Sequence, residues 1–220
     1  MFSNRREAGR KLALALARFK SEQPVILALP RGGVPVAYEV ALALSAVLDV
    51  VIVRKLGAPG QPELGIGAVV DGDQPESVLD ADSVRLLQVS KQFIEGEIAH
   101  ELKEIDRRQQ LYRGSRPAVP VAGRTVIVVD DGIATGGSMR AALRGLRRAA
   151  PRKLVLAVPV APSDTLERLR PEVDEIVCLA TPPLFHAVGQ FYSDFRQTSD
   201  EEVIKLLDAA ARIATNPEAA

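Results

Sequence analysis

The most constraining feature of the sequence is a short apolar run followed at once by two acids and a glycine-rich turn. Residues 126–129 are four consecutive β-branched apolar residues, a pattern typical of a strand buried on both faces of a parallel sheet. Asp130, Asp131 and Gly132 follow, and residues 139–149 have the composition of a helix. The chain is therefore expected to place a polar turn at the carboxyl end of a strand, where open α/β sheets bind ligands.

This turn offers groups for two kinds of ligand atom. Asp130 and Asp131 present carboxylate oxygens, which accept hydrogen bonds from hydroxyl groups. Backbone N–H groups at a helix N-terminus, together with two side-chain hydroxyls, come from the loop residues Ala134, Thr135, Gly136, Gly137 and Ser138. Acceptors for hydroxyls beside a cradle for an anion indicate a sugar phosphate as the ligand.

Two other ligand-binding or catalytic motifs that this turn could match are excluded by the residues at their defining positions. Ser138 and Met139 occupy the places of the lysine and the hydroxyl residue of a P-loop, and Arg140 stands where a serine-hydrolase elbow needs glycine. Two other interpretations stay open. In the first, residues 126–138 form an ordinary turn with a solvated acid pair. In the second, they belong to a sugar-phosphate hydrolase that uses Asp130 as its base.

Residues 126–138 resemble the 5-phosphoribosyl-1-diphosphate (PRPP) signature of the type I phosphoribosyltransferases. The resemblance implies an α/β fold of three layers, doubly wound around a mostly parallel sheet. At 220 residues the chain fits one domain or at most two small ones, and one over residues 1–220 is expected. The resemblance adds a long helical insertion at about 81–113 and a small C-terminal hood at about 181–195. The resemblance and the long region at residues 81–113 together favour a homodimer.

The resemblance also implies roles for individual residues. Asp130 and Asp131 hold the ribose hydroxyls and contribute to binding Mg²⁺, which is held mainly through oxygens of PRPP. The loop from Ala134 to Ser138 wraps the 5′-phosphate. Gly132 departs from the aliphatic residue that is usual at its position, a change expected to affect packing more than ligand chemistry.

Two further strand ends carry candidate binding groups. Arg31, Gly32 and Gly33 follow the apolar strand at residues 25–29, and they correspond to the pyrophosphate loop of the resembled family. The alternative is an ordinary Pro/Gly turn.

Arg54 and Lys55 end the strand expected at residues 49–53, and the resemblance implies that they are catalytic cations. The next segment, residues 56–64, is rich in Gly and Pro, so it is expected to be irregular and mobile, like the family's flexible catalytic loop. A further basic residue that is common in that loop is missing. The alternative for the two cations is a solvated strand terminus.

Residues 81–113 have apolar residues at helical spacing and are expected to form one or two long helices. Charged residues such as Glu101 are interpreted as a solvated face, and His100 as a surface histidine. Aromatic residues cluster near the C-terminal end, where they form either the base-selecting hood or part of the core: Phe185, Phe191, Tyr192 and Phe195.

The amino-acid composition limits the kinds of partner that the chain is expected to bind. Lysine plus arginine and aspartate plus glutamate number 28 each, so no net charge attracts the chain to nucleic acid or to an acidic membrane surface. The lone Cys178 excludes an internal disulfide. Residues 1–10 are polar, and no apolar run approaches a membrane span, so a cytoplasmic location without membrane or nucleic-acid partners is expected.

The function implied by the resemblance is Mg²⁺-dependent transfer of the phosphoribosyl group from PRPP to a nitrogenous base, with release of pyrophosphate. The sequence leaves the acceptor base open. The alternative is a regulatory module that senses PRPP or a nucleotide without catalysing transfer.

Overall fold

The computed structural model describes residues 1–71 and 76–215. Its helices are Arg5–Leu16 (α1), Gly33–Leu44 (α2), Ala81–Leu86 (α3), Lys91–Arg113 (α4), Gly137–Arg148 (α5), Ser163–Leu169 (α6) and Asp200–Thr215 (α7). Its strands are Val25–Ala28 (β1), Val47–Val50 (β2), Val53–Ala58 (β3), Gln61–Val70 (β4), Glu76–Leu79 (β5), Thr125–Val129 (β6), Lys153–Val160 (β7) and Glu175–Ala180 (β8).

Five strands form a parallel sheet in the order β2-β1-β6-β7-β8. The central strand is β6, and all five of its residues are buried, as its run of β-branched residues predicts. Ala28 at the end of β1 pairs with Val129 at the end of β6. The turns that follow these two strands therefore lie side by side at the carboxyl edge of the sheet.

Helices cover both faces of this sheet. On one face α1, α2 and α7 pack on alternate strand residues such as Ile26 and Ile127, and on the other α5 and α6 pack on the intervening residues such as Val126 and Val128. This confirms the predicted α/β fold of three layers. Within residues 1–71 and 76–215, no helix is both long and apolar enough to cross a membrane.

The expectation of an irregular segment at residues 56–64 is wrong. The chain forms a β-hairpin of β3 and β4 there, which turns at Pro59 and Gly60, and β5 adds a third antiparallel strand. Buried Leu56 and Ile66 anchor the hairpin to the core, and Gly57 packs so closely on Pro62 that a Cβ would lie 2.6 Å from its Cα. The glycines in this segment therefore allow close backbone packing. The strand predicted at residues 49–53 is likewise divided between β2 and β3.

The helices predicted at residues 81–113 are present as α3 and α4. At the end of α4, Arg113 donates to both carboxylate oxygens of Asp49 in β2, at 2.9 and 3.1 Å, and to Asp71 just after β4, at 3.0 Å. All three side chains are less than a tenth exposed. Arg113 thereby fastens the long helix to both sheets.

Candidate functional site

The first turn of the site, after β1, packs directly against the acid pair that follows β6. A Cβ at Gly32 would overlap the carboxylate of Asp131, and one at Gly33 would lie 2.8 Å from the carbonyl of Val129. The peptide bond between Pro30 and Arg31 is cis. Two segments that are separated by about a hundred residues of sequence thus form one continuous surface at the edge of the sheet.

The two acids lie in an environment that disfavours negative charge. The backbone N–H of Asp131 donates to Asp130 Oδ1 at 2.8 Å. Burial, together with the negative charge of Asp131, raises the pKa of Asp130 well above its usual value. Burial also raises the pKa of Asp131, although the guanidinium of Arg5 opposes that rise. An additional positive charge next to the acid pair would therefore stabilise its ionised form.

Arg5 is a site residue that no motif of the sequence indicates. Its Nε donates to Asp131 Oδ2 at 2.7 Å, and both side chains are nearly buried. Tyr192, expected in either the hood or the core, is buried and donates its hydroxyl to the backbone carbonyl of Asp131 at 2.5 Å. Arg5 lies 126 residues from Asp131 in the sequence, so a local pattern could not have predicted their contact.

The loop after the acids is built to present its backbone. Gly136 has a φ of +82°, a left-handed conformation that favours glycine, and α5 begins at the next residue. The first N–H groups of α5 have no acceptor within the helix and point toward the loop. Ala134 and Thr135 are exposed, and no hydrogen-bond partner of the Thr135 or Ser138 hydroxyl is found among the described residues.

The same loop is supported from beneath by Thr165 of α6. This threonine is buried, and its hydroxyl donates to the carbonyl of Ala134 at 2.9 Å. The sequence does not indicate this contact, because a threonine in an amphipathic helix gives no local pattern that predicts it. Thr165 holds the loop from inside, so the hydroxyls and N–H groups of the loop remain available to a ligand.

The aromatic segment expected to form the hood lies beside the acid pair. Gly132 leaves no room for a side chain, because a Cβ there would lie 2.5 Å from Val188 Cγ1 and 3.0 Å from Val160. Phe2 pairs with the segment through its backbone: its N–H donates to the carbonyl of Phe191, and its carbonyl accepts from Ser193. The departure at Gly132 is thus explained by the close packing of residues 188–193.

The structure does not bring Arg54 and Lys55 together at the site. Consecutive residues of a strand point to opposite faces, and these two lie in β3. Arg54 makes a bidentate pair with Glu101 of α4, at 2.5 and 3.2 Å. Lys55 lies on the other face, where it lines a cavity of about 230 Å³ with Gly137 and Arg140.

Glu101 is therefore not part of a solvated face, as the sequence suggested, because it is only 6% exposed and holds Arg54. His100 is exposed, as predicted. Arg31 extends from the turn after β1 toward α7, and its Nη1 lies 3.8 Å from Asp200. That long, half-exposed contact leaves its guanidinium able to bind another anion.

The donor set fits Mg²⁺ that is carried mainly by a ligand. Among the described residues, no three His, Cys, Asp or Glu side chains converge on one point. Mg²⁺ at phosphate sites is usually held by one or two carboxylates together with substrate oxygens and water. Asp130 and Asp131 supply such carboxylates, and Arg5 engages only one oxygen of Asp131.

Fold and site together define the class of this protein, a doubly wound α/β domain of the type I phosphoribosyltransferase kind. The chain belongs to the phosphoribosyl transferase domain family, whose model matches residues 4–196.

Several known proteins are similar to it over most of its length, including two from Mycobacterium tuberculosis and one from Thermus thermophilus. Two Mycobacterium tuberculosis proteins, MT0597 and Rv0571c, are provisionally named phosphoribosyl transferases; each is 48% identical over 212 residues, which is 96% of this chain and 47% of the relative. The crystal structure of TT1426 from Thermus thermophilus is 47% identical, with a TM-score of 0.82, and the match covers 94% of this chain and 97% of that one. The chain thus spans about half the length of the mycobacterial relatives.

Proposed function

We propose that this chain transfers the phosphoribosyl group of PRPP to a nitrogenous base and releases pyrophosphate. The observation that carries the proposal is the packing of Gly32 on Asp131, which makes one site of two turns with complementary chemistry. Asp130 and Asp131 face the ribose hydroxyls, and the loop from Ala134 to Ser138 receives the 5′-phosphate. Arg31 and the amides of Gly32 and Gly33 receive the pyrophosphate.

The reaction breaks the bond between the anomeric carbon and pyrophosphate, and the electron pair leaves with pyrophosphate. A nitrogen of the acceptor then bonds to the same carbon, and its proton passes to the departing pyrophosphate or to water. Positive charge develops on the sugar, as in other reactions at an anomeric carbon, and the acid pair stabilises it. Mg²⁺, when bound, neutralises charge on the leaving pyrophosphate. Residues 181–195 would contact the acceptor in this proposal, and the hydrogen bond from Tyr192 to the backbone of Asp131 supports this role.

The test is calorimetric titration with PRPP, with and without Mg²⁺, on the wild type and on Asp130→Ala. We expect Mg²⁺-dependent binding that the variant loses, and the exposed Asp106→Ala in α4 serves as the matched control. Turnover is followed as pyrophosphate release with a panel of bases, and Asp131→Asn should lower it by roughly 10²–10³, the usual cost of removing a preorganised group aimed at developing charge. Full activity in Asp131→Asn would contradict the ribose assignment.

A second candidate is a module that binds PRPP without transferring it. The pairing of Arg54 with Glu101 favours this candidate, because it removes one expected cation from the leaving group. Such a module binds PRPP in the calorimeter but releases no pyrophosphate with any base.

A further inference from the structure

Arg5 lies where three parts of the chain meet. It is the first residue of α1, and its Nε donates to Asp131 Oδ2 at 2.7 Å. Its Nη1 donates to the carbonyl of Arg196, also at 2.7 Å, and its guanidinium carbon lies 3.9 Å from the centre of the Phe195 ring. The side chains of Arg5 and Asp131 are 11% and 12% exposed, so water screens their interaction little.

A second contact holds the main chain of the same acid. The buried Tyr192 hydroxyl donates to the backbone carbonyl of Asp131 at 2.5 Å, and the ring of Tyr192 lies 5.1 Å from that of Phe195. The carboxylate and the main chain of Asp131 are therefore both held by side chains that pack in one aromatic cluster. Among the described residues, no side chain of this cluster donates a hydrogen bond to Asp130, the first acid of the pair.

We propose that Arg5 is a positioning residue of the ribose site. By fixing one oxygen of Asp131, it orients the carboxylate toward the sugar, and it ties that acid to the aromatic segment at residues 191–196. The inference rests on the proposed function, because it assigns Arg5 a part in the ribose contacts of that function.

The shape of the guanidinium is what suits it to this task. Its planar group of donors reaches Asp131 and the carbonyl of Arg196 at once while stacking on an aromatic ring, and a lysine ammonium cannot do all three. A carboxylate that is already fixed loses less conformational freedom when a ligand binds, and so binds more tightly.

The adjacent Arg6 provides a matched control. It also belongs to α1, and it also pairs with an acid, Glu39, at 3.0 Å and lies over an aromatic ring, that of Tyr38. Arg6 is about half exposed, however, and its contacts lie away from the acid pair. Replacing it removes the same charge from the same helix without touching Asp131.

The experiment compares wild type, Arg5→Ala, Arg5→Lys and Arg6→Ala by calorimetry in the presence of Mg²⁺, with ribose 5-phosphate and with inorganic pyrophosphate as separate probes. We expect Arg5→Ala to weaken binding of ribose 5-phosphate by about 10–100-fold, the usual cost of losing a group that orients a ligand-binding side chain. Binding of pyrophosphate should weaken much less, because no contact of Arg5 with Arg31, Gly32 or Gly33 is found among the described residues. Arg5→Lys should also bind ribose 5-phosphate weakly, and Arg6→Ala should match the wild type.

Three results would overturn the inference alone. They are wild-type or tighter affinity for ribose 5-phosphate in Arg5→Ala, full rescue by Arg5→Lys, and equal weakening of both probes, which indicates a general structural role. If Arg5→Ala does not fold, Arg5→Lys alone decides by the same criteria. A wild type that binds neither PRPP nor ribose 5-phosphate overturns the proposed function and this inference with it.

Discussion

Gly32 is the residue on which the joining of the two turns depends. Its backbone is in the right-handed helical region, so alanine is conformationally acceptable there, but the added methyl would overlap the carboxylate of Asp131. We expect Gly32→Ala to displace the acid and to lower turnover by about 10²-fold, as a misplacement of about 1 Å can do. Pyrophosphate release measures the effect.

The matched control for Gly32→Ala is Gly96→Ala. Gly96 lies inside α4 with open space where a Cβ would stand, so the methyl of alanine meets no neighbouring element there. This control should keep activity and gain about 0.8–1 kcal/mol in the free energy of unfolding, the difference in helix propensity. Full activity in Gly32→Ala would show that the turn after β1 takes no part in the site.

The pair of Arg54 and Glu101 is expected to matter for stability more than for ligand binding. Arg54→Ala leaves the buried carboxylate of Glu101 without its partner. The free energy of unfolding in urea should fall by about 1–3 kcal/mol, the usual cost of a buried group left unsatisfied. PRPP affinity of the folded variant should stay close to that of the wild type.

Arg107→Ala is the control for this prediction. Its partner Glu104 lies on the same helix, but Arg107 is 59% exposed, so its loss should leave the free energy of unfolding close to that of the wild type. If Arg54→Ala instead lost much of its PRPP affinity while its stability stayed unchanged, Arg54 would be a ligand of the pyrophosphate group.

These residues show what the sequence could and could not predict at the site. The acid pair and its loop are contiguous, so their arrangement follows from one strand, one turn and one helix. Arg5 reaches Asp131 across 126 residues and Glu101 reaches Arg54 across 47, and each contact forms only when distant elements dock. The signs of the charges alone do not predict which of the many arginines of this chain pairs with which acid.

At the scale of elements, the parallel sheet was predictable, whereas β3 and the turn that joins it to β4 were not. The strands of the sheet read as continuous apolar runs, whereas β3 and β4 contain Gly57, Gly65 and Gly67 and are joined by Pro59 and Gly60. Such a composition usually indicates a loop. Here Gly57 and Gly67 pack against neighbouring backbone, so tertiary contacts override local propensity.

The junction of α4 with both sheets predicts a pH dependence of stability. Arg113 is a single cation between two buried carboxylates, and burial raises the pKa of Asp71 above its usual value of 3.8. The folded chain therefore holds that proton more tightly than the unfolded chain. The stabilisation is complete below pH of about 4 and is lost as pH rises through the folded-state pKa, by about 1.4 kcal/mol for each tenfold difference in proton affinity.

Asp71→Asn isolates this contribution, because asparagine cannot ionise. The unfolding free energy of the wild type minus that of the variant should be largest in acid and should decrease toward neutral pH, as measured by urea denaturation at several pH values. Asp106→Asn, at an exposed position of the same long helix, should show no such trend. A difference that grows with pH would mean that Arg113 lowers the pKa of Asp71 and outweighs its burial.

At the scale of the whole molecule, the site draws together segments that lie far apart in the chain. Phe2 and Arg5 near one end meet residues 191–196 near the other, and both groups contact the strand end at Asp131. A ligand on the acid pair therefore binds a surface that exists only when these segments are docked. Unfolding removes it entirely.

Binding of PRPP should consequently raise the thermal stability of the entire fold. A ligand that binds only the folded state, at a hundred times its Kd, adds about 2.7 kcal/mol to the free energy of unfolding. For a chain of this size that corresponds to a rise in Tm of roughly 5–10 °C, which differential scanning calorimetry with Mg²⁺ and PRPP measures. Asp130→Ala should show no shift at the same PRPP concentration, and an equal shift in both proteins would place PRPP outside the acid pair.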